Sequence, residues 1–530
     1  MSILIKSLTY RHANKDLLFN NLNLTVGQGE KAALVGNNGT GKSTLLQLIA
    51  GKLHPSAGEL LTSEKPWYVP QHLGQYDELS IAQALGIDRK LRGFRAILNG
   101  ETDPQHFTDL DDDWEIEEKL RSALAKWDLA HVSPDQRLGV LSGGQKTKVF
   151  LAGIALHDPE VLLLDEPSNH LDTDSRAHLY ALIATSKATV LVVSHDRALL
   201  NLLPKTLELS KSGILVYVGN FDFYRGQKDE KLAALQGQLE EQSKTLKLSQ
   251  QKARDMAEQR QKREARGRVQ GQSQSLPRII AGGLKSKAEQ STAKMQDVQS
   301  EKVVGITENI RQIRSQIQQH QVLKIDMGAS TLHRGKILID AVEIRFGYDG
   351  TPLWSPLTFQ IRAGDRIRVE GANGAGKSTL LRILTGELKP TGGKILTAPF
   401  SSLYLNQDYT GIDPTRTVYE QVQQYNSRHL QEHELKSLLI YSQFQREMFD
   451  RKCAGLSGGE KVKLSLCCLA VSNHTPDLLI LDEPTNNLDV QSLDVLTASV
   501  KGFTGTLLVV SHDSYFIQEI GVESRIWVGK

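Results

Sequence analysis

Short apolar runs separated by glycine, rather than long apolar stretches, set the pattern of this chain. Ala32–Val35 (AALV) precedes a glycine-rich stretch that leads into Thr44–Ile49 (TLLQLI), and the order recurs at Arg366–Glu370 (RIRVE) and Thr379–Leu384 (TLLRIL). Each block predicts a strand, a loop and a helix in succession. Leu162–Leu164 before Asp165 and Leu479–Leu481 before Asp482 are continuous apolar runs ending in a carboxylate, the pattern of a parallel strand buried on both faces. The middle of the chain follows another period. Leu232, Leu235, Leu239, Leu246, Ala253 and Met256 keep heptad a/d spacing, and Val303, Ile306, Ile310, Ile313 and Ile317 keep it more strictly. Two such stripes predict an antiparallel helical hairpin. Gly267, Gly271, Pro277, Gly282 and Gly283 between them predict its turn or irregular tip.

The motifs repeat in order. GNNGTGKST begins at Gly36 and GANGAGKST at Gly371, 335 residues later; LSGGQ begins at Leu141 and LSGGE at Leu456; His195 and His512 stand in matching VVSHD segments, 317 residues apart. Constant order over such distances predicts two copies of one α/β domain, residues 1–222 and 335–530, joined by a helical linker, 223–334. Copy one carries 21 more residues than copy two between its glutamine and its LSGG motif, a surplus placed near 89–114. That insertion reads either as a surface loop or as a short recognition arm.

Composition narrows the class. Hydrophobic residues form 39% and charged residues 23% of 530 residues, which excludes wholesale disorder and leaves ample material for several cores. No apolar run approaches the ~18 residues of a membrane span, and the start lacks the apolar core of a signal peptide, so the chain is expected in the cytoplasm. Cys453, Cys467 and Cys468 lack metal-ligand spacing and are expected as core thiols. Net charge is only +2, yet Lys244 to Lys294 holds thirteen Lys or Arg against four acids, a local +9. Such an excess suits a partner rich in phosphate; the plainer reading is a solvated spacer.

Gly36, Asn37, Asn38, Gly39, Thr40, Gly41, Lys42, Ser43 and Thr44 fit the phosphate-loop pattern, as do Gly371, Ala372, Asn373, Gly374, Ala375, Gly376, Lys377, Ser378 and Thr379. Glycines let backbone N–H groups face the β- and γ-phosphates; the lysine adds a point charge, and the serine hydroxyl reaches Mg²⁺. Asp165 and Asp482 stand where a Mg²⁺-directed carboxylate belongs, and the adjacent Glu166 and Glu483 suit a carboxylate that orients or deprotonates water. LSGGQ and LSGGE open helices with Ser-Gly-Gly, making a second anion-binding surface in each copy. Were each copy's surface to meet the other's phosphate loop, two nucleotides would be sandwiched and binding coupled to closure.

With these motifs in place, the chain resembles a tandem ATP-binding-cassette protein, and specifically the ABC-F family of soluble translation factors. The resemblance rests on the phosphate loops, Gln71 after WYVP and Gln407 after LYLN, the two LSGG signatures, the Asp-Glu pairs, the switch histidines His195 and His512, EPSNHLD at Glu166–Asp172, EPTNNLD at Glu483–Asp489, and the charged linker. Ser168, Asn487 and Glu460 are mild departures from the usual residues. The resemblance implies ATP hydrolysis with ATP and Mg²⁺ as cofactors. Site one would join Lys42, Ser43, Gln71, Asp165, Glu166 and His195 to Ser457 and Gly459; site two would join Lys377, Ser378, Gln407, Asp482, Glu483 and His512 to Ser142 and Gly144. Mg²⁺ would be held by Ser43, Asp165 and Gln71, and by Ser378, Asp482 and Gln407. Tyr348 would stack on adenine in site two; in site one the matching position is His12, with Tyr10 nearby.

The same resemblance implies the ribosome as partner, with the arm touching tRNA near the peptidyl-transferase centre and Arg266, Arg268, Arg278, Lys285 and Lys287 meeting rRNA or tRNA phosphates. No obligate homo-oligomer is expected, because both cassettes lie in one chain. The ATPase subunit of a membrane transporter and a DNA-directed repair ATPase remain the alternatives.

Overall fold

The apolar runs become the strands of two parallel sheets, each carrying a phosphate-loop helix on one face. The computed structural model describes residues 2–12, 16–210, 212–271, 301–314, 316–317, 332–348, 351–406, 411–473, 475–486 and 488–529, with backbone alone for 260 and 263–271. The chain divides into two units, Met1–Asp222 with Val322–Lys530, and Phe223–Gln321.

The first unit holds both cassettes. In the first, six strands lie in the order Trp67–Val69, Val161–Asp165, Thr189–Val193, Lys31–Val35, Lys205–Ser210 and Gly213–Tyr217, all parallel except the last. The second repeats this with five parallel strands, Ser402–Leu405, Leu478–Asp482, Thr506–Val510, Arg366–Glu370 and Ser524–Trp527. A three-stranded antiparallel sheet accompanies each: Leu17–Val26, Ile3–Arg11 and Ala57–Thr62, then Leu357–Arg362, Ile337–Arg345 and Gly392–Thr397. This is the α/β class that the repeated strand, loop and helix blocks predict.

Two-faced burial explains why the central strands contain no alternation. In Leu478–Asp482, Leu478 and Ile480 pack with the phosphate-loop helix residues Leu380 and Leu381, while Leu479 and Leu481 pack on the other face with Leu464 and Leu496. Every residue of the strand is buried, so the sequence is apolar up to the terminal Asp482. The three cysteines are buried in that second layer, and Cys467 donates to Ser442 Oγ at 3.0 Å.

The surplus of copy one is helical. Asp88–Leu98 and Pro104–Leu110 are two short helices, with Leu91, Ala96 and Leu110 buried. They approach closely at Gly93, where a Cβ would lie 2.6 Å from the His106 carbonyl oxygen. The segment is therefore built like a packed hairpin rather than an open loop.

In the second unit, Phe221–Gly271 begins a helix of 51 residues, about 75 Å at 1.5 Å per residue. Residues 301–314 and 316–317 are also helical. Leu235, Ile306, Ile310 and Ile317 are buried at the expected heptad positions, whereas Met256 is 39% exposed. Arg278, Lys285 and Lys287 lie outside the described residues, as do the side chains of Arg266 and Arg268. Among the described residues no helix is long and apolar enough to cross a membrane.

Candidate functional site

The strand Lys31–Val35 runs into its glycine loop, and the helix Lys42–Ile49 starts from Gly41, whose φ is +94°. A Cβ at Gly41 would lie 2.7 Å from Phe19 Cζ, and one at Gly376, with the same φ, would overlap Trp354 Cζ3. Backbone conformation and the aromatic floor both demand glycine there. Lys42 Nζ donates to the carbonyls of Gly36 at 2.8 Å and Asn37 at 3.2 Å; Lys377 Nζ does the same to Gly371 at 2.8 Å and Ala372 at 3.1 Å. Each ammonium thus sits inside the curl of its own loop.

Above the loops stand the acids. Ser43 Oγ donates to Asp165 Oδ1 at 3.1 Å, joining the two residues expected at Mg²⁺. The Tyr68 hydroxyl donates to Asp165 Oδ2 at 3.2 Å, and the Tyr404 hydroxyl to Asp482 Oδ2 at 2.8 Å. Sequence reading missed these tyrosines, although each stands three residues before the glutamine of its cassette. Glu166 and Glu483 both adopt left-handed backbone conformations, φ +51° and +48°, and each N–H donates at 2.8 Å to the end of the neighbouring strand, Val193 or Val510. That turn lifts each glutamate out of its strand line. His195 Nε2 lies 3.1 Å from Glu166 Oε1, and His512 Nε2 lies 3.3 Å from Glu483 Oε1.

Burial dominates the electrostatics here. It pushes the Glu166 carboxyl up to about 8, with Asp165 adding to the rise. It raises Glu483 to about 7, against the opposing charges of Arg176 and Lys377. Burial drives both histidines down to about 3, assisted by Lys42 at His195 and by Lys377 at His512. The imidazoles are therefore neutral near pH 7, and a cation arriving at the acids would shift their balance toward the carboxylate form. Glu166 Oε1 and Glu483 Oε2 are buried without a hydrogen-bond partner among the described residues. Despite the nearby imidazoles, these oxygens lack a well-aligned donor, and beside a lysine and a glycine loop they suit a water next to a magnesium-bound triphosphate.

Three cavities collect these groups. One of about 290 Å³ is lined by loop residues between Asn38 and Thr44, with Gln71, Asp165, Glu166, His195 and, at the expected base position, His12. Another of about 310 Å³ joins Tyr348 to the second loop and to Asp482 and Glu483. The largest, about 570 Å³, has walls from both cassettes: Ser142 and Gly144 from the first, and Asn373, Gly374, Glu483 and His512 from the second. Ser142 caps the helix Gly143–His157 as Ser457 caps Gly458–Val471. Asn373 Nδ2 donates to the His170 carbonyl at 3.0 Å, drawing the second loop to the first signature. The mirror meeting differs. Ser457 and Gly459 are not among the described walls of the Lys42 cavity; from the second cassette Asp489 Oδ2 instead accepts the Asn38 N–H at 3.1 Å. Gln407 and Asn487 lie outside the described residues.

A family model described as "ABC transporter" matches residues 19–169 and 354–486, more than half of the chain. The chain belongs to the ABC transporter family. Its relatives include ABC transporter F family member 5 of Arabidopsis thaliana, 28% identical over 93% of this chain and 70% of that protein. The energy-dependent translational throttle protein EttA of Mycobacterium tuberculosis is 29% identical over 99% of this chain and 91% of that protein. A solved structure titled RNase-L Inhibitor shares the fold at TM-score 0.58 with 20% identity, covering 97% of this chain and 86% of that one. With two matched cassettes in one polypeptide, this ABC protein is a tandem ATPase, and relatives named F-type proteins align with it over nearly its whole length.

For this ABC ATPase the sequence named Lys42, Ser43, Asp165, Glu166 and His195 around the first loop and Ser142 and Gly144 opposite the second. It did not name the other contacts between cassettes. Arg176 lines the shared cavity, and Thr173 Oγ1 comes within 3.3 Å of His512 Nδ1. Neither residue belongs to a local motif, so the only signal available was the departure of copy two, which has Val490 and Leu493 at the matching positions.

Proposed function

We propose that the chain binds two ATP with Mg²⁺ between its cassettes, hydrolyses them, and uses the resulting closure on the ribosome in the cytoplasm. The observation that carries the reading is the shared cavity, in which the Ser142–Gly144 signature faces the Asn373–Gly374 loop and Glu483. A triphosphate there would be gripped by the loop N–H groups and Lys377 from below, and by a helix N-terminus from the opposite cassette. On further closure Lys42 and its loop would meet the opposite signature at Ser457 and Gly459 in the same way at site one.

Bound Mg²⁺ would offset phosphate charge, held by Ser43, Asp165 and Gln71 in one site and by Ser378, Asp482 and Gln407 in the other. Glu166 and Glu483 orient and deprotonate the attacking water, and His195 and His512 sense the terminal phosphate through their neutral rings. Tyr348 stacks on the base of site two, with His12 at the equivalent place in site one. Tyr68 and Tyr404 hold one oxygen of each aspartate so that the other faces the metal.

The ribosome enters from two supports. One relative is named a translational throttle, and the linker carries a local charge of +9 that would meet RNA phosphates. In this reading the arm lies near tRNA at the peptidyl-transferase centre, through Arg266, Arg268, Arg278, Lys285 and Lys287. The test uses Glu166→Gln with Glu483→Gln, which should lower turnover by ~10²-fold or more while preserving ATP binding. With ATP this protein should co-sediment with ribosomes and be released by ribonuclease. Wild-type turnover would sink the assignment of the glutamates; recovery with membranes, or release by deoxyribonuclease alone, would move the function to a transporter or to DNA repair.

A further inference from the structure

The side-chain amide of Asn201 joins two structures at once. Its Oδ1 accepts the Asp222 N–H at 2.9 Å, and because a backbone N–H can only donate, Nδ2 is the end that faces Tyr515 Oη, 3.2 Å away. Asn201 ends the helix Arg197–Asn201 of the first cassette, whereas Tyr515 lies on Ser514–Glu519 of the second. Asp222 stands in the first turn of Phe221–Gly271, the helix that begins the linker. All three residues belong to the unit that holds the cassettes. The start of the helix is rooted in the first cassette, since Phe221 is fully buried and Thr206 Oγ1 donates to the Gly219 carbonyl at 3.1 Å.

The first four N–H groups of a helix have no partner within it, and a side-chain acceptor at that end steadies the first turn. Asn201 supplies one from elsewhere in the fold. One turn earlier on its own helix, Arg197 pairs with Asp494 and Glu519, so the helix that carries Asn201 is itself seated on the second cassette. In the repeat, Gln518 and Ala198 match Asn201 and Tyr515, and the alanine offers the glutamine no hydroxyl. The bond to Tyr515 therefore belongs to one side of the interface, the side on which the chain enters the linker.

We propose that Asn201 is a positioning residue that ties the root of the linker to the contact between the cassettes. With Tyr515 in place the amide is held in one orientation, and Oδ1 stays on the Asp222 N–H. When the cassettes part, Nδ2 loses its acceptor, the amide turns freely, and the first turn of the linker helix frays more readily. The root of the linker is thus firm in the ATP-closed state and looser in the open one. The inference rests on the proposed closure of the cassettes by ATP.

Hydrogen–deuterium exchange over residues 219–225, read by mass spectrometry in the Glu166→Gln, Glu483→Gln protein, follows that turn directly. ATP with Mg²⁺ should slow exchange there by about fivefold, the effect of one capping hydrogen bond. Tyr515→Phe deletes the acceptor and keeps the ring, and should shrink the ATP response to below about twofold. Asn201→Ala should leave the turn fast with or without ATP. With the glutamates intact, Tyr515→Phe should keep kcat within about twofold of wild type, because Tyr515 is not among the described walls of the three cavities. A full ATP response in Tyr515→Phe, or exchange rising equally along the whole chain, would overturn the proposal. A fall in kcat matching the loss of response would make Tyr515 part of site two and overturn it as well. Small-angle scattering of the same protein tells the two failures apart. No compaction with ATP would remove the closure on which the inference stands, whereas compaction without any response at this turn would overturn the inference alone.

Discussion

Arg197 of the first cassette is buried against Asp494 of the second, with Nη2 2.5 Å from Asp494 Oδ1, while its Nη1 lies 2.8 Å from Glu519 Oε1. The repeat places Ser514 opposite Arg197 and Ala177 opposite Asp494, so the mirror-related pair has no charges to form it. Thr173 and Arg176, which reach His512, add two further contacts whose counterparts in the repeat are Val490 and Leu493. Near-symmetric folds are thus joined by a partly asymmetric set of polar contacts, with a phosphate-loop bond present at each site, Asn38 to Asp489 and Asn373 to His170.

Arg197→Ala would remove the buried guanidinium that pairs Asp494 and Glu519 at this interface. Removing one partner of a buried pair costs ~3–5 kcal/mol, much of it from the charge left behind. The variant should unfold at lower temperature and close less readily on ATP, measured by calorimetry and by small-angle scattering. Adding Asp494→Ala should recover part of the loss, as a double-mutant cycle would register. A wild-type melting temperature for Arg197→Ala would show that the pair contributes nothing.

The phosphate loops make a separate forecast. Lys42→Ala and Lys377→Ala each remove a cation held inside the curl of its loop. A charge-assisted contact is worth ~1.5–3 kcal/mol, so ATP affinity at the altered site should fall by about tenfold to a hundredfold. Titration with a fluorescent ATP analogue reads each site separately in the single variants. Affinity equal to wild type in the double variant would show that the loops do not hold the phosphates.

How much of this could be read from the chain follows from how local each feature is. Lys42 and Ser43 were legible because strand, loop, cation and hydroxyl are consecutive in sequence, and Asp165 with Glu166 because a buried strand ends on them. Tyr68 was not. Its role exists only because Trp67–Val69 pairs in parallel with Val161–Asp165, with Tyr68 opposite Leu163, and no run of residues announces that register. Arg176 and Arg197 are farther still from any local pattern, since their partners lie 336, 297 and 322 residues away. The insertion was located by counting, but the packing of its two helices rests on Gly93 permitting close approach to His106, which no local pattern announces.

The tyrosines can be tested through the metal. Tyr68→Phe and Tyr404→Phe each delete one hydrogen bond to an aspartate and little else. A net ~1 kcal/mol per bond corresponds to about fivefold, so the Mg²⁺ concentration for half-maximal turnover should rise by roughly that factor in the altered site. ATP affinity measured without Mg²⁺ should stay at the wild-type value. An unchanged Mg²⁺ dependence would reduce both tyrosines to packing residues.

The linker carries the final forecast, because its charge departs furthest from the rest of the chain. Replacing Arg266, Arg268, Arg278, Lys285 and Lys287 by Gln removes five of thirteen cations between Lys244 and Lys294 and leaves the heptad positions intact. If these side chains meet RNA phosphates, ribosome association of the Glu166→Gln, Glu483→Gln protein with ATP should weaken. Its log–log salt slope should flatten by ~0.7–0.9 for each phosphate no longer neutralised, since fewer counterions are released. Turnover without ribosomes, measured with the glutamates intact, should persist because the five positions stand far in sequence from both phosphate loops. A spacer whose charge serves only solvation forecasts the opposite, with equal occupancy across the salt series. Co-sedimentation from low to high salt separates the two, and equal slopes for the charged and neutral arms would assign ribosome binding to the cassettes instead.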